Sequence, residues 1–177
     1  AMGIRTAELS GYEADDILGT LSLRCEREGL FVVLVSGDRD MLQLAGRNVK
    51  IRIPKTKGGS AVVEDYLEDD VVERLGVTPA EFIDVKALMG DSSDNIPGVA
   101  GIGEKTALAL ISRYETMDEV YRQLEAGTLE ATPSVKRKLA EGKDLALLSR
   151  ELARIDIHVP VNADPHHYQK QPGDPAA

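Results

Sequence analysis

The chain has 177 residues, of which 42% are hydrophobic and 29% charged, and a formal net charge of −9. These values suit a soluble globular chain of one large or two small domains and exclude a disordered chain, a collagen-like repeat and a disulfide scaffold. No run approaches the roughly 18 apolar residues of a membrane span, a lone Cys25 suits a reducing cytoplasm, and 4% aromatics without tryptophan argue against base-stacking platforms.

In chain order, Ile4–Leu9 is a short strand candidate, and Glu13–Glu28 reads as a helix with Ile17, Leu18, Leu21 and Cys25 inward and Gly29 as its stop. The run Leu30–Val35 is continuously apolar, the mark of a strand buried on both faces of a parallel sheet. A short helix from Asp38 to Leu44 and a strand Val49–Ile53 follow. Pro54–Ser60, with Lys55, Gly58 and Gly59, reads as a loop, Ala61–Val63 as a brief strand and Asp65–Leu75 as a helix. The alternation of strand and helix is that of an open α/β sheet.

The second half changes character. Pro79 opens a helix ending near Met89, in the position proline prefers. A Gly/Asp/Pro-rich stretch, Gly90–Gly103, leads to helices near Glu104–Arg113, Asp118–Leu124, Pro133–Ala140 and Lys143–Leu152, then a strand at Ile155–Val159. The expected division is an α/β domain over 1–89, an all-helical subdomain over 90–160, and a polar, proline-rich linker over 161–177. His166 and His167 read as solvent-exposed, and Cys25 as a core residue with no histidine to activate it.

Acidity is concentrated early: residues 1–97 hold 11 basic and 18 acidic side chains, whereas 98–150 hold 8 of each. Three clusters stand out: Glu13, Asp15 and Asp16; Asp38 and Asp40; and Asp91 and Asp94. The first two follow strands, at the sheet edge where α/β folds place ligands. Taken singly, helix caps and turns account for each. Together they suit Mg²⁺ or Mn²⁺, which take all-oxygen ligands and, in pairs, clamp a phosphodiester for in-line hydrolysis.

The stretch Gly98–Thr106 looks at first like a nucleotide-binding loop, but Glu104 intrudes between the last glycine and Lys105, and no strand precedes it. A glycine hairpin between two helices fits better. Its free N–H groups would receive a phosphate at a helix start, although a plain helix–helix turn would use glycine as well.

The segments Gly11–Asp16, Ser36–Asp40, Leu88–Gly98 and Gly101–Ala107 together resemble the 5′-nuclease family of flap endonuclease-like enzymes, closest to the 5′→3′ exonuclease regions of bacterial DNA polymerase I. The resemblance runs from about Ile4 to Pro160. It implies a PIN-like parallel α/β sheet followed by a helix–three-turn–helix (SAM-like) subdomain. It also implies two metal ions: Glu13 and Asp15 at one, with Asp16 nearby, and Asp38, Asp40 and Asp94 at the other, assisted by Asp91. Gly98, Gly101, Gly103, Lys105 and Thr106 would grip a duplex phosphate, helped by K⁺ on the hairpin carbonyls, and Lys86 would contact DNA near the metals. The implied partners are 5′-flap, nicked or branched duplex DNA and RNA primer ends, acted on by a monomer with an attached polymerase domain in a bacterial cytoplasm, at the nucleoid. The family's first strand with its aspartate and its basic arch do not precede Ala1, so the chain resembles a fragment. Alone it is expected to cut little, or to act as a non-cleaving DNA-binding module.

Overall fold

A computed structural model describes residues 3–170. Among these residues three strands, β1 (Val32–Val35), β2 (Val49–Lys57) and β3 (Ser60–Tyr66), form a sheet in the order β1-β2-β3. β1 and β2 are parallel, with Val33 opposite Lys50 and Val35 opposite Arg52. β2 and β3 are antiparallel, so the sheet is mixed. Among the described residues, seven α-helices surround and extend it: α1 (Ala14–Arg27), α2 (Glu68–Leu75), α3 (Pro79–Met89), α4 (Glu104–Tyr114), α5 (Met117–Glu125), α6 (Pro133–Glu141) and α7 (Lys143–Ala153).

Three expectations for the first half are corrected. Pro54–Ser60 is not a loop, because β2 runs through Pro54 and turns back into β3 at Gly58 and Gly59, whose φ values of +58° and +81° are those a tight two-residue hairpin demands. Pro54 is tolerated because β1 ends opposite Arg52 and leaves this part of β2 at an edge. Ile4–Leu9 forms no strand and pairs with none of the strands among the described residues. β1 is buried on one face only: Leu34 is in the core, while Val33 and Val35 are 43% and 61% exposed.

The helices follow the sequence closely. Thr78 caps α3 through a reciprocal pair in which its Oγ1 accepts from Glu81 N at 3.2 Å and the Glu81 carboxylate accepts from Thr78 N at 2.7 Å. Thr116 and Thr132 cap α5 and α6 by accepting from Glu119 N and Val135 N. One core unites both halves, joining Leu34, Ile51 and Ile53 of the sheet to Leu110, Ile111 and Leu139 of the helices. α3 lies between them and contributes Phe82, Val85 and Leu88.

Ile155–Val159 is also not a strand. It is a strap held by side chains of other elements: Gln43 Nε2 donates to Ala153 O at 2.9 Å, Ile155 N to Gln43 Oε1 at 3.0 Å, Asp156 N to Asp16 Oδ1 at 2.8 Å and Val159 N to Thr20 Oγ1 at 3.0 Å. Side chains replace the ladder bonds that its apolar alternation suggested. The polar tail from 161 contains a 3₁₀ turn, Pro165–Tyr168, and residues 171–177 of the expected linker lie outside the described residues.

Candidate metal centre and nucleic-acid interface

All three acidic clusters reach one region. After β1, Ser36 Oγ accepts from Asp38 N at 3.1 Å, and Asp38 Oδ1 accepts from Asp40 N at 2.8 Å. This cap starts the 3₁₀ turn Arg39–Leu44 and fixes Asp38 and Asp40 beside each other. α3 ends at Gly90, and the loop beyond it is closed by paired backbone bonds between Asp91 and Ile96 at 2.9 and 2.8 Å. Asp91 Oδ1 accepts from Ser93 N at 2.8 Å and also from the Ser93 hydroxyl.

The closure depends on two glycines. Gly90 and Gly98 have φ values of +72° and +60°, and a Cβ on Gly98 would lie 2.4 Å from Gly90 N. Only bare backbone permits that approach. Carboxylate oxygens of Asp40, Asp91 and Asp94 consequently come within 4.8 Å of one another. Glu13, Asp15 and Asp16, at the start of α1, join Asp38, Asp40 and Asp94 around a cleft of about 450 Å³.

Electrostatics register the crowding. Burial, followed by Asp38, Glu13, Asp40 and Asp16, pushes the Asp15 carboxyl up to about 6. Burial also raises Asp40, against the opposing pull of Lys86. Asp91 is held at about 2, first by its bond to Lys86 and then by Ser93. Burial would lower Lys86, but Asp40 and Asp91 outweigh it and keep its ammonium charged. Asp40 Oδ1 is buried and lies 2.5 Å from Lys86 Nζ, yet receives no hydrogen bond of proper direction. An all-carboxylate donor set with a buried, incompletely satisfied oxygen fits a hard divalent cation such as Mg²⁺ or Mn²⁺.

Two assignments change with this geometry. Lys86 does not face the surface as a DNA contact should; its side chain is 3% exposed and pairs with Asp40 and Asp91. Asp16 lies at the cleft, but its carboxylate already accepts from Glu13 N at 3.1 Å and Asp156 N at 2.8 Å, which makes it a helix cap and an anchor for the strap.

The hairpin is formed as its glycines suggested. Ile102 N donates to Val99 O at 2.9 Å, and Gly101 takes a φ of +76°. Gly103 is the N-cap of α4 and has no side chain to offer its N–H groups. Thr106 N and Ala107 N bond to Gly103 O, while those of Glu104 and Lys105 have no acceptor among the described residues. The Lys105 side chain is exposed, and a Cβ on Gly103 would meet nothing within 4 Å. Gly98 differs, being buried with its N–H donated to Ser149 Oγ at 2.9 Å.

Sequence reading missed four contributors. Lys138 Nζ on α6 donates to Gly101 O at 2.9 Å, which places a cation on a hairpin carbonyl. Arg39 pairs with Glu104 at 2.9 Å and so ties the acidic turn to the start of α4. Arg154, at the C-terminal end of α7, and Asp156 of the strap line the cleft. Each is remote in sequence from what it touches, so no local spacing could have flagged it.

Comparison with known proteins agrees with this fold. Residues 1–76 match the family model "5′-3′ exonuclease, N-terminal resolvase-like domain", and residues 77–176 match "5′-3′ exonuclease, C-terminal SAM fold". The chain is 43% identical over 162 residues to DNA polymerase I of Caldicellulosiruptor bescii, covering 92% of this chain and 19% of that protein. It is 45% identical over 161 residues to DNA polymerase I of Bacillus caldotenax, covering 91% and 18%. It thus spans about a fifth of the length of these relatives. Among solved structures, the bacteriophage T5 5′-exonuclease with bound zinc superposes with a TM-score of 0.68 at 26% identity, over 84% of this chain and 52% of that one. A T5 flap endonuclease in complex with DNA and metal ions gives 0.66 at 26% identity, over 84% and 51%.

Proposed function

The chain belongs to the 5′-3′ exonuclease family, and from that premise we propose that it forms part of a metal-dependent, structure-specific 5′→3′ exonuclease and 5′-flap endonuclease within a DNA polymerase I-like protein. The observation that carries this reading is the convergence of Asp15, Asp38, Asp40 and Asp94, drawn from three separate segments, on one cleft. Glu13 and Asp15 would hold one divalent ion, and Asp38, Asp40 and Asp94, with Asp91, the other. Bound there, Mg²⁺ or Mn²⁺ supplies an activated water and a clamp on the scissile phosphate.

The protein's own groups position the DNA. The N–H groups of Glu104 and Lys105, the α4 dipole and the Lys105 ammonium would receive a backbone phosphate. Gly101, Gly103 and Thr106 shape that approach, and Gly98 supports it from the core. Lys138 already places a positive charge on the Gly101 carbonyl, where a hairpin K⁺ would also sit. With residues 98–150 electrically balanced, binding rests on this local geometry and is indifferent to base sequence. Duplexes bearing a 5′ flap or nick are the proposed substrates, in bacterial replication and repair, with an attached polymerase domain and action at the nucleoid. Among the described residues no helix is long and apolar enough to cross a membrane.

The test is cleavage of a labelled 5′-flap duplex in Mg²⁺ by the full-length polypeptide that carries this chain, compared with the same polypeptide carrying Asp38→Asn and Asp40→Asn. Cutting near the junction that falls to background in the variant is the expected result. Duplex binding without metal-dependent cutting in the unsubstituted protein would favour a non-cleaving DNA-binding module instead.

A further inference from the structure

Lys86 is out of place as an ordinary helix residue. It lies on α3 between Val85 and Ala87, both fully buried, and next to Leu88 in the core. Its residue exposure is 2%, and it is the only lysine or arginine among the described residues that is buried. Packing at such a position would be served by Met or Leu, and an ammonium there is strongly disfavoured unless charges compensate it. The compensation comes from Asp40 at 2.5 Å and from Asp91. These are two of the three carboxylates whose oxygens lie within 4.8 Å of one another.

Other basic groups near the cleft are committed elsewhere or stand at its edge. Arg39, next to Asp40 in sequence, turns away to Glu104 at 2.9 Å, and Arg154 lines the cleft from the C-terminal end of α7. Among the described residues, Lys86 alone forms ion pairs within the cluster. The buried Asp40 Oδ1 still lacks a directed hydrogen bond, so the lysine neutralises the group without saturating it.

We propose that Lys86 is an internal counter-cation: it holds Asp40 and Asp91 together in the metal-free protein and competes with the divalent ion for them, which sets the metal affinity of the site. This inference rests on the metal-binding reading given above. An incoming divalent ion must share Asp40 and Asp91 with an ammonium a few ångströms away. Their repulsion, even at a high effective dielectric, amounts to roughly a tenfold loss of affinity or more. In exchange, the metal-free cluster does not fly apart under its own repulsion. Lys86 is therefore a positioning residue rather than a ligand.

The experiment is calorimetric titration of MnCl₂, without DNA, into the wild-type chain, Lys86→Met and Lys86→Arg, with thermal unfolding of each in the presence and absence of Mn²⁺. Lys86→Met should bind Mn²⁺ about tenfold more tightly, melt lower than wild type without metal, and gain more from saturating Mn²⁺. Lys86→Arg, which keeps the charge, should bind no more tightly than wild type. A Lys86→Met protein that binds no more tightly than a binding-competent wild type overturns the inference alone. A wild type that takes up no Mn²⁺ overturns the metal reading and the inference with it. Should Lys86→Met not fold, the wild type decides: the Lys86 side-chain NMR resonances must move as Mg²⁺ saturates the site, and resonances that stay fixed refute competition.

Discussion

Gly98→Ala and Gly103→Ala should separate what the fold requires from what a ligand requires. At Gly98 the backbone sits at φ +60°, and a new Cβ would lie 2.4 Å from Gly90 N, 2.6 Å from Gly90 Cα and 2.6 Å from the Met89 carbonyl carbon. None of these is a side-chain end that can swing aside. The left-handed conformation alone costs about 1–2 kcal/mol for alanine, and the forced separation of the two loop strands brings the total to roughly 3–5 kcal/mol. For a chain of this size that is a fall in melting temperature of about 10 °C. At Gly103, φ is −98° and a Cβ meets nothing within 4 Å. Alanine there should change stability by less than about 1 kcal/mol, because the stiffer unfolded chain offsets alanine's poorer fit at a helix N-cap. It should nonetheless weaken duplex binding, because the methyl group stands where a phosphate would approach the N–H groups. Thermal unfolding by circular dichroism and fluorescence anisotropy of a labelled duplex read the two effects. The reasoning fails if Gly98→Ala melts within a degree or two of wild type, or if Gly103→Ala is equally damaged.

Ser149→Ala removes the hydroxyl that accepts from Gly98 N at 2.9 Å; leaving that buried N–H unpaired should cost about 1–3 kcal/mol, measured by urea unfolding. Asp15, raised from 3.8 to about 6, binds its proton more tightly folded than unfolded. Metal-free stability should therefore increase as pH falls from 7 through 6 and level off near 4, by on the order of 1 kcal/mol after allowance for the group's exposure. Mn²⁺ affinity should fall over the same window, because protons and metal compete for one carboxylate, as melting curves across pH with and without Mn²⁺ will show. Duplex affinity should have a shallow salt dependence, worth about 2–4 phosphates, and Lys105→Ala should lower the slope by about one in an anisotropy salt series.

The helical half was readable because its signals are local. Pro79 and Pro133 at helix starts, Thr78 and Glu81 reaching back to each other, and Gly90 at a helix end act within four residues. Strands need partners, and sequence does not name them. Neither Ile4–Leu9 nor the alternating Ile155–Val159 joins a ladder, and the second is fastened by Asp16, Thr20 and Gln43 from more than 100 residues away. Gly58 and Gly59 were legible as a turn, yet not as the tip of one long hairpin. The acidic residues could be found because carboxylates packed this closely in three separate segments of one chain are unusual. Their cation could not: Lys86 reads as a surface lysine until α3 is laid against the Arg39–Leu44 turn, which brings it to Asp40, 46 positions earlier.

The central claim is that segments far apart in sequence build a divalent-cation site, and anomalous scattering from crystals soaked in MnCl₂ tests it most directly. The account predicts a manganese peak in the cleft, bounded by the carboxylates of Asp38, Asp40 and Asp94, and its loss in crystals of a chain carrying Asp40→Asn and Asp94→Asn. A saturating soak that leaves this cleft without a peak would contradict it.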